Sequence, residues 1–220
     1  MEDLIQHLWL NNREEIVSNS IKNCHVGGLD SIMLLKSPGK SIRLYVAKEG
    51  SELHNEFFIL SNLPLAFHPH HCNLTIKVIK GELTNIEIAE HAREKSILFN
   101  KYEFSSEISG NGLGFKQAGQ TYFSGIRTNI MREGDVEFMR ANQIHTVFID
   151  KHRQEEGDAD VAWLVFEGME DKDYKSVCYS KAKDLHLLKK QEWMYNKMED
   201  EEVESILENL NLINPKIEIY

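Results

Sequence analysis

The chain is poor in the residues that organise small secreted scaffolds: of 220 residues, three are cysteine and four are proline. Cys24, Cys72 and Cys178 are odd in number and far apart, which argues against a disulfide framework and makes a reducing cytoplasm the expected location. Positive charge is also scarce, with 25 Lys and Arg against 35 Asp and Glu and a formal net charge of -10. That balance excludes a broad nucleic-acid or anionic-membrane surface, because phosphates and acidic lipids recruit positive patches. A local basic pocket stays compatible with it. No apolar run approaches the ~20 residues that a membrane span needs. The opening MEDLIQHLWLNNREEIV does not read as a secretory leader, since its front is acidic and its apolar stretch is short and interrupted. GNGLG lacks the Lys-Ser/Thr of a phosphate loop and the strand-to-helix setting of a dinucleotide fingerprint, so it reads as a loop.

What is present fits one globular domain with a sizeable core: 41% of the chain is hydrophobic and 27% charged. Leu4, Ile5, Leu8, Trp9, Ile16 and Val17 recur at helical spacing and predict a helix over roughly residues 2 to 20. SIMLL and SIRLYVA flank KSPGK and read as two strands joined by a turn. EFFIL, HCNLTIKVI, LTNIEIAE, TNIMREGDVEFM, HTVFID and DVAWLVFEG add further strands, while residues 95 to 125 read as loose chain. LHLLKKQEWMYNKM and EEVESILENLNLI read as helices, with Glu199 or Asp200 opening the second. The expected organisation is an N-terminal helix (1–22), an antiparallel β sandwich or barrel (23–183) and a C-terminal helical segment (184–220).

The stretch HPHHCNLTIKVIKG concentrates three histidines in four residues, His68, His70 and His71, at the head of a strand-like run. In an extended chain alternate side chains share a face. His68, His70, Cys72, Leu74, Ile76 and Val78 then lie on one side, and His71 on the other. Two imidazoles at the mouth of an apolar strand suit a metal, because neutral imidazole is a favoured ligand for iron, zinc, copper and nickel. A third candidate ligand, His145, opens HTVFID beneath the turn-like MRANQI.

These spacings resemble the two motifs of the cupin superfamily. His68-Pro69-His70 is followed by three residues, Leu74, six residues and Gly81; Gly134 is followed by five residues, Arg140-Ala141-Asn142, two residues and His145. Leu74 stands in the place of the family's metal-binding glutamate, Arg140 and Asn142 replace its Pro and Gly, and Ile149 replaces its final Asn. The stretch between motifs, 82 to 133, is longer than the usual connection. The resemblance implies an all-β jelly-roll barrel and one divalent metal on His68, His70 and His145, with Leu74 lining the pocket. A site of three histidines and no carboxylate looks like the cysteine dioxygenase branch, which points to iron(II), with zinc, nickel or manganese as alternatives.

In that comparison Arg43, Tyr45 and Cys72 are candidate substrate contacts. Simple alternation places Arg43 and Tyr45 on the solvent face, because Ile42, Leu44 and Val46 are apolar; they point inward only if the N-terminal helix covers the other side. Glu82 and Glu137 are candidate acids near the rim. The expected function is a mononuclear iron(II) dioxygenase-type enzyme on a small polar or anionic substrate, with a homodimer left open. A non-catalytic small-molecule-binding or regulatory cupin, and a metal-assisted isomerase or lyase, are the alternatives.

Overall fold

In the computed structural model, residues 1–54, 67–90, 97–104, 115–150, 160–169, 176–181 and 195–214 are described. Helix α1 (Glu2–Ser18) buries Ile5, Leu8, Trp9 and Ile16 along one stripe. The strands are β1 (Ile21–Lys22), β2 (Leu29–Ser37), β3 (Lys40–Ala47), β4 (Leu74–Lys80), β5 (Glu82–Glu90), β6 (Ile97–Phe104), β7 (Phe115–Arg132), β8 (Val136–Met139), β9 (Ile144–Phe148), β10 (Val161–Glu167), β11 (Val177–Ser180) and β12 (Asn196–Lys197). Helix α2 spans Asp200–Asn209. A single 3-10 turn covers Glu52–His54.

Two antiparallel sheets face one another, ordered β12-β1-β2-β3-β10-β4-β8 and β11-β6-β7-β5-β9. Between them lies the larger apolar cluster, with Leu74, Ile76, Val78, Leu83, Phe99, Phe123, Met131, Trp163 and Val165 among its members. A second cluster lies on the outer face of the seven-stranded sheet. There Ile5, Leu8, Trp9 and Ile16 of α1, with Val203 and Leu207 of α2, cover Ile32, Leu34, Leu44, Val46, Ala162 and Leu164. Fully burying each such aliphatic side chain contributes about 1.5–3 kcal/mol. This is an all-β sandwich of two antiparallel sheets, with an N-terminal and a C-terminal helix packed on one of them.

The two helices decide which way β3 and β10 face. Leu44 and Val46 alternate toward the helices, as do Ala162 and Leu164 of the neighbouring strand. Arg43 and Tyr45 therefore turn inward, between the sheets, and so do Trp163, Val165 and Glu167. Register pairs Tyr45 with Trp163, and their rings stack at a centroid distance of 5.6 Å.

The helical ends are fastened by charge. Arg13 sits over the Trp9 ring at 4.6 Å and donates to Asp200 and to both carboxylate oxygens of Glu204. Its guanidinium holds the Asp200 carboxyl below the usual range. At the start of α2 the Glu199 backbone N–H donates to Glu202 Oε2 at 2.9 Å, and the Glu199 side chain accepts in return, a capping box built on glutamate.

Two sequence expectations meet a different outcome. Residues 97–104 and 115–125, read as loose chain, are strand instead: β6 pairs with the first part of β7. Their alternation is masked in the sequence by polar residues, because much of β7 is exposed from Lys116 to Gln120. Asn196–Lys197, read as helix, instead pairs with Ile21–Lys22. The EFFIL segment, the GNGLG loop and LHLLKKQEWM lie outside the described residues.

Candidate metal centre

His68 and His145 form a reciprocal antiparallel bridge, each backbone N–H donating to the other's carbonyl at 3.1 and 3.2 Å. His70 N–H donates to the Ala141 carbonyl at 2.9 Å, and Ala141 N–H to Asn73 Oδ1 at 2.9 Å. These bonds zip the segment before β4 against the turn before β9. That is why residues so distant in sequence bring three imidazoles together: their ligand-capable nitrogens all lie within 4.8 Å of one another. Continuous strand begins only at Leu74, so the shared face of His68 and His70 comes from this zipper rather than from a long strand.

The protonation of His145 can be read from its partners. Its Nδ1 lies 2.7 Å from Asn85 Oδ1, while Asn85 Nδ2 donates to Glu137 Oε2 at 2.8 Å. The carboxylate can only accept, so it fixes the amide with its oxygen toward the ring. Nδ1 of His145 therefore carries the proton, and Nε2 presents a lone pair. Nε2 lies 2.6 Å from His70 Nε2. His145 is 4% exposed, and burial, followed by the neighbouring His68, pushes its pKa down to about 3. His70 is pushed well below the ordinary imidazole range, first by burial and then by His68 and His145. The donor set fits a divalent metal: neutral imidazole nitrogens converging from different backbone segments, one of them already oriented by a second hydrogen bond.

The three histidines form one wall of a cavity of about 500 Å³ between the sheets. Leu74, 4% exposed, lines it, as do Arg43 and Tyr45. Arg43 Nη1 donates to Ser31 Oγ at 2.9 Å, and its Nε lies 3.8 Å from Glu167 Oε1. Cys72 is buried in the apolar cluster and is not among the described residues that line the cavity. His71, assigned to the opposite face by strand alternation, does line it. The alternation argument fails for His71 because residues 69–73 are not strand. Glu82 is engaged with Arg132 at 3.2 Å, and Glu137 serves Asn85.

Sequence reasoning missed four further polar groups here: His25, Tyr195 and Glu167 on the cavity wall, and Asn85 behind His145. His25 and Tyr195 come from opposite ends of the chain and belong to no motif. Asn85 follows from the pairing of β5 with β9, which places Glu87 opposite His145 and Asn85 two residues away.

No family model and no curated protein matches the chain. Among solved structures it is similar to the hydroxypropylphosphonic acid epoxidase from S. wedmorenis, at 10% identity and a TM-score of 0.37 over 69% of this chain and 56% of that one. The chain thus spans little more than half of that protein's length. It is also similar to a cupin superfamily protein from Desulfitobacterium hafniense DCB-2, at 12% identity and a TM-score of 0.33 over 64% and 78% of the two chains. A conserved protein of unknown function from Streptococcus pyogenes gives 12% identity and a TM-score of 0.34 over 64% and 74%.

Proposed function

We propose that this cupin-like chain is a mononuclear metal enzyme of the dioxygenase type. Iron(II) would be held by His68, His70 and His145, and the substrate would be a small anion bound in the cavity beside them. The observation that supports this most is the convergence of three imidazole groups on one wall of a largely apolar cavity that also contains Arg43. An iron(II) ion bound there would supply a Lewis acid and an electron source for dioxygen. The chain's own groups do the rest. Arg43, held by Ser31 and Glu167, offers its remaining N–H groups to a substrate carboxylate or similar anion. Leu74, Ile76, Trp163 and Val165 exclude water around it. Because Leu74 is apolar, the ligand set carries no protein charge, and an anionic substrate balances the ion.

Metal analysis of untagged protein, followed by oxygen uptake across a panel of thiols and carboxylic acids, tests the reading. One metal per chain is expected, falling to near zero when His68, His70 and His145 are all changed to alanine. A triple variant that kept the wild-type stoichiometry would overturn it. Full metal without oxygen uptake on any substrate would instead favour a binding or regulatory module.

A further inference from the structure

The cavity contains a second polar group that the three histidines do not use. His25 and Tyr195 both line it, and His25 Nδ1 lies 2.9 Å from Tyr195 Oη. Both residues have left-handed backbone, with φ of 72° and 59°. Bulky side chains rarely adopt that region, and such residues persist only where their surroundings over-determine them.

The surroundings here do so. Cys24 N–H donates to the Leu29 carbonyl at 2.6 Å, and Gly28 N–H to Asn23 Oδ1 at 2.8 Å. Gly27 N–H donates to Glu52 Oε2 at 2.8 Å, while the Ser51 hydroxyl and the Glu52 N–H both donate to the Gly27 carbonyl. Gly28 has φ of 74°, and a Cβ there would come within 2.8 Å of the Ser51 backbone. The loop carrying His25 is thus pressed against the 3-10 turn with no room to relax. Tyr195 is tied to the same loop through its own N–H, which donates to the Asn23 carbonyl at 3.4 Å.

His25 Nδ1 and Tyr195 Oη are within hydrogen-bonding distance. A phenol that donates its proton to Nδ1 leaves the ring N–H on Nε2, as a donor. Burial keeps the ring neutral by pushing its pKa down to about 4, and the phenol is pushed up by burial.

We infer that His25 and Tyr195 form an oxyanion-binding group in the cavity, in which His25 Nε2–H donates to an anionic oxygen of a ligand and Tyr195 is the positioning residue that fixes the imidazole tautomer. The ligand class is an oxygen-rich chelating anion that spans from the three histidines to His25, with Arg43 on its flank. This rests on the metal reading given above.

The test uses the full chain loaded with cobalt(II), and oxalate as the probe, followed by calorimetry and by the visible spectrum of the ion. His25→Asn keeps a residue that tolerates left-handed backbone, and Tyr195→Phe keeps the ring while removing Oη. Both variants are expected to retain one cobalt per chain. Oxalate affinity should fall about tenfold or more in His25→Asn, the range for losing a hydrogen bond to a charged group, and about fivefold in Tyr195→Phe. Wild-type oxalate affinity in both variants, at full cobalt content, would overturn the assignment and leave the metal reading intact. Failure of the wild-type chain to bind cobalt would overturn both.

Discussion

Replacing Asn85 by leucine should weaken metal binding without emptying the site. The side chain is 3% exposed, and its Oδ1 is 2.7 Å from His145 Nδ1. In the metal-bound state His145 must keep its proton on Nδ1, because Nε2 is the nitrogen aimed at His70 and His68. Leucine removes the acceptor and leaves that N–H buried and unpaired, at a cost of about 1–3 kcal/mol. The metal-free protein can avoid the cost by moving the proton to Nε2, where it can be donated to His70 Nε2 at 2.6 Å. The penalty therefore falls on the bound state, and metal affinity should drop about 10- to 100-fold, the range for losing such a supporting partner. Glu137→Gln should fall between wild type and Asn85→Leu, since a glutamine can either accept from or donate to the amide and no longer fixes its orientation. Competition of zinc against a chromophoric chelator measures both. An Asn85→Leu affinity within twofold of wild type would refute the tautomer argument.

Two further predictions concern charge near the same histidines. His145 titrates at about 3 in the fold, against ~6.5 for a free imidazole, and His70 lies below the ordinary range as well. The folded protein thus binds fewer protons than the unfolded chain in this interval. The stability from these groups is complete above pH 6.5 and is lost as pH falls toward 3, by a few kcal/mol. Urea titrations of metal-free protein from pH 7 to 5, above the range where carboxylates titrate, should show the decline, and a flat profile would contradict it. Leu74→Glu places a carboxylate at a position 4% exposed in the same cavity. The metal-free variant should melt lower than wild type, and zinc should raise its Tm more than it raises the wild-type Tm; an equal shift in both would show that residue 74 does not reach the ion.

The two sheets were largely legible because most strands carry clean punctuation or alternation. β3 shows it well: Leu44 and Val46 alternate with Arg43 and Tyr45, and the pattern is the one observed. What alternation cannot supply is which side of a strand is the inside. Apolar residues of β3 and β10 pack under α1 and α2, and only knowledge of that packing turns Arg43 toward the cavity rather than the solvent. β6 and the first part of β7 were illegible for a different reason, since the exposed polar run from Lys116 to Gln120 shows no separation of polar from apolar residues. For the site, the contrast lies between local and distant partners. His68 and His70 are neighbours with spacing to read, and His145 follows a recognisable turn. His25 and Tyr195 are brought together by loop closure across 170 positions, for which no local pattern exists.

Charge is the feature that connects the cavity's two walls. Three imidazoles contribute no negative charge, and Leu74, which lines the same cavity, is apolar. A divalent ion on those ligands would bring two positive charges into a pocket that already contains the Arg43 guanidinium. Glu167 lies 3.8 Å from Arg43 Nε and offsets that cation alone. Placing an uncompensated ion beside buried apolar side chains such as Leu74 and Ile76 is costly, so the balance has to arrive with the ligand. An anion that chelates the ion and extends toward Arg43 and the His25 donor satisfies all three groups at once, whereas its neutral analogue leaves the ion's charge in place. On the proposed reading, the same uncharged ligand set would favour anions over their neutral analogues once a metal is bound.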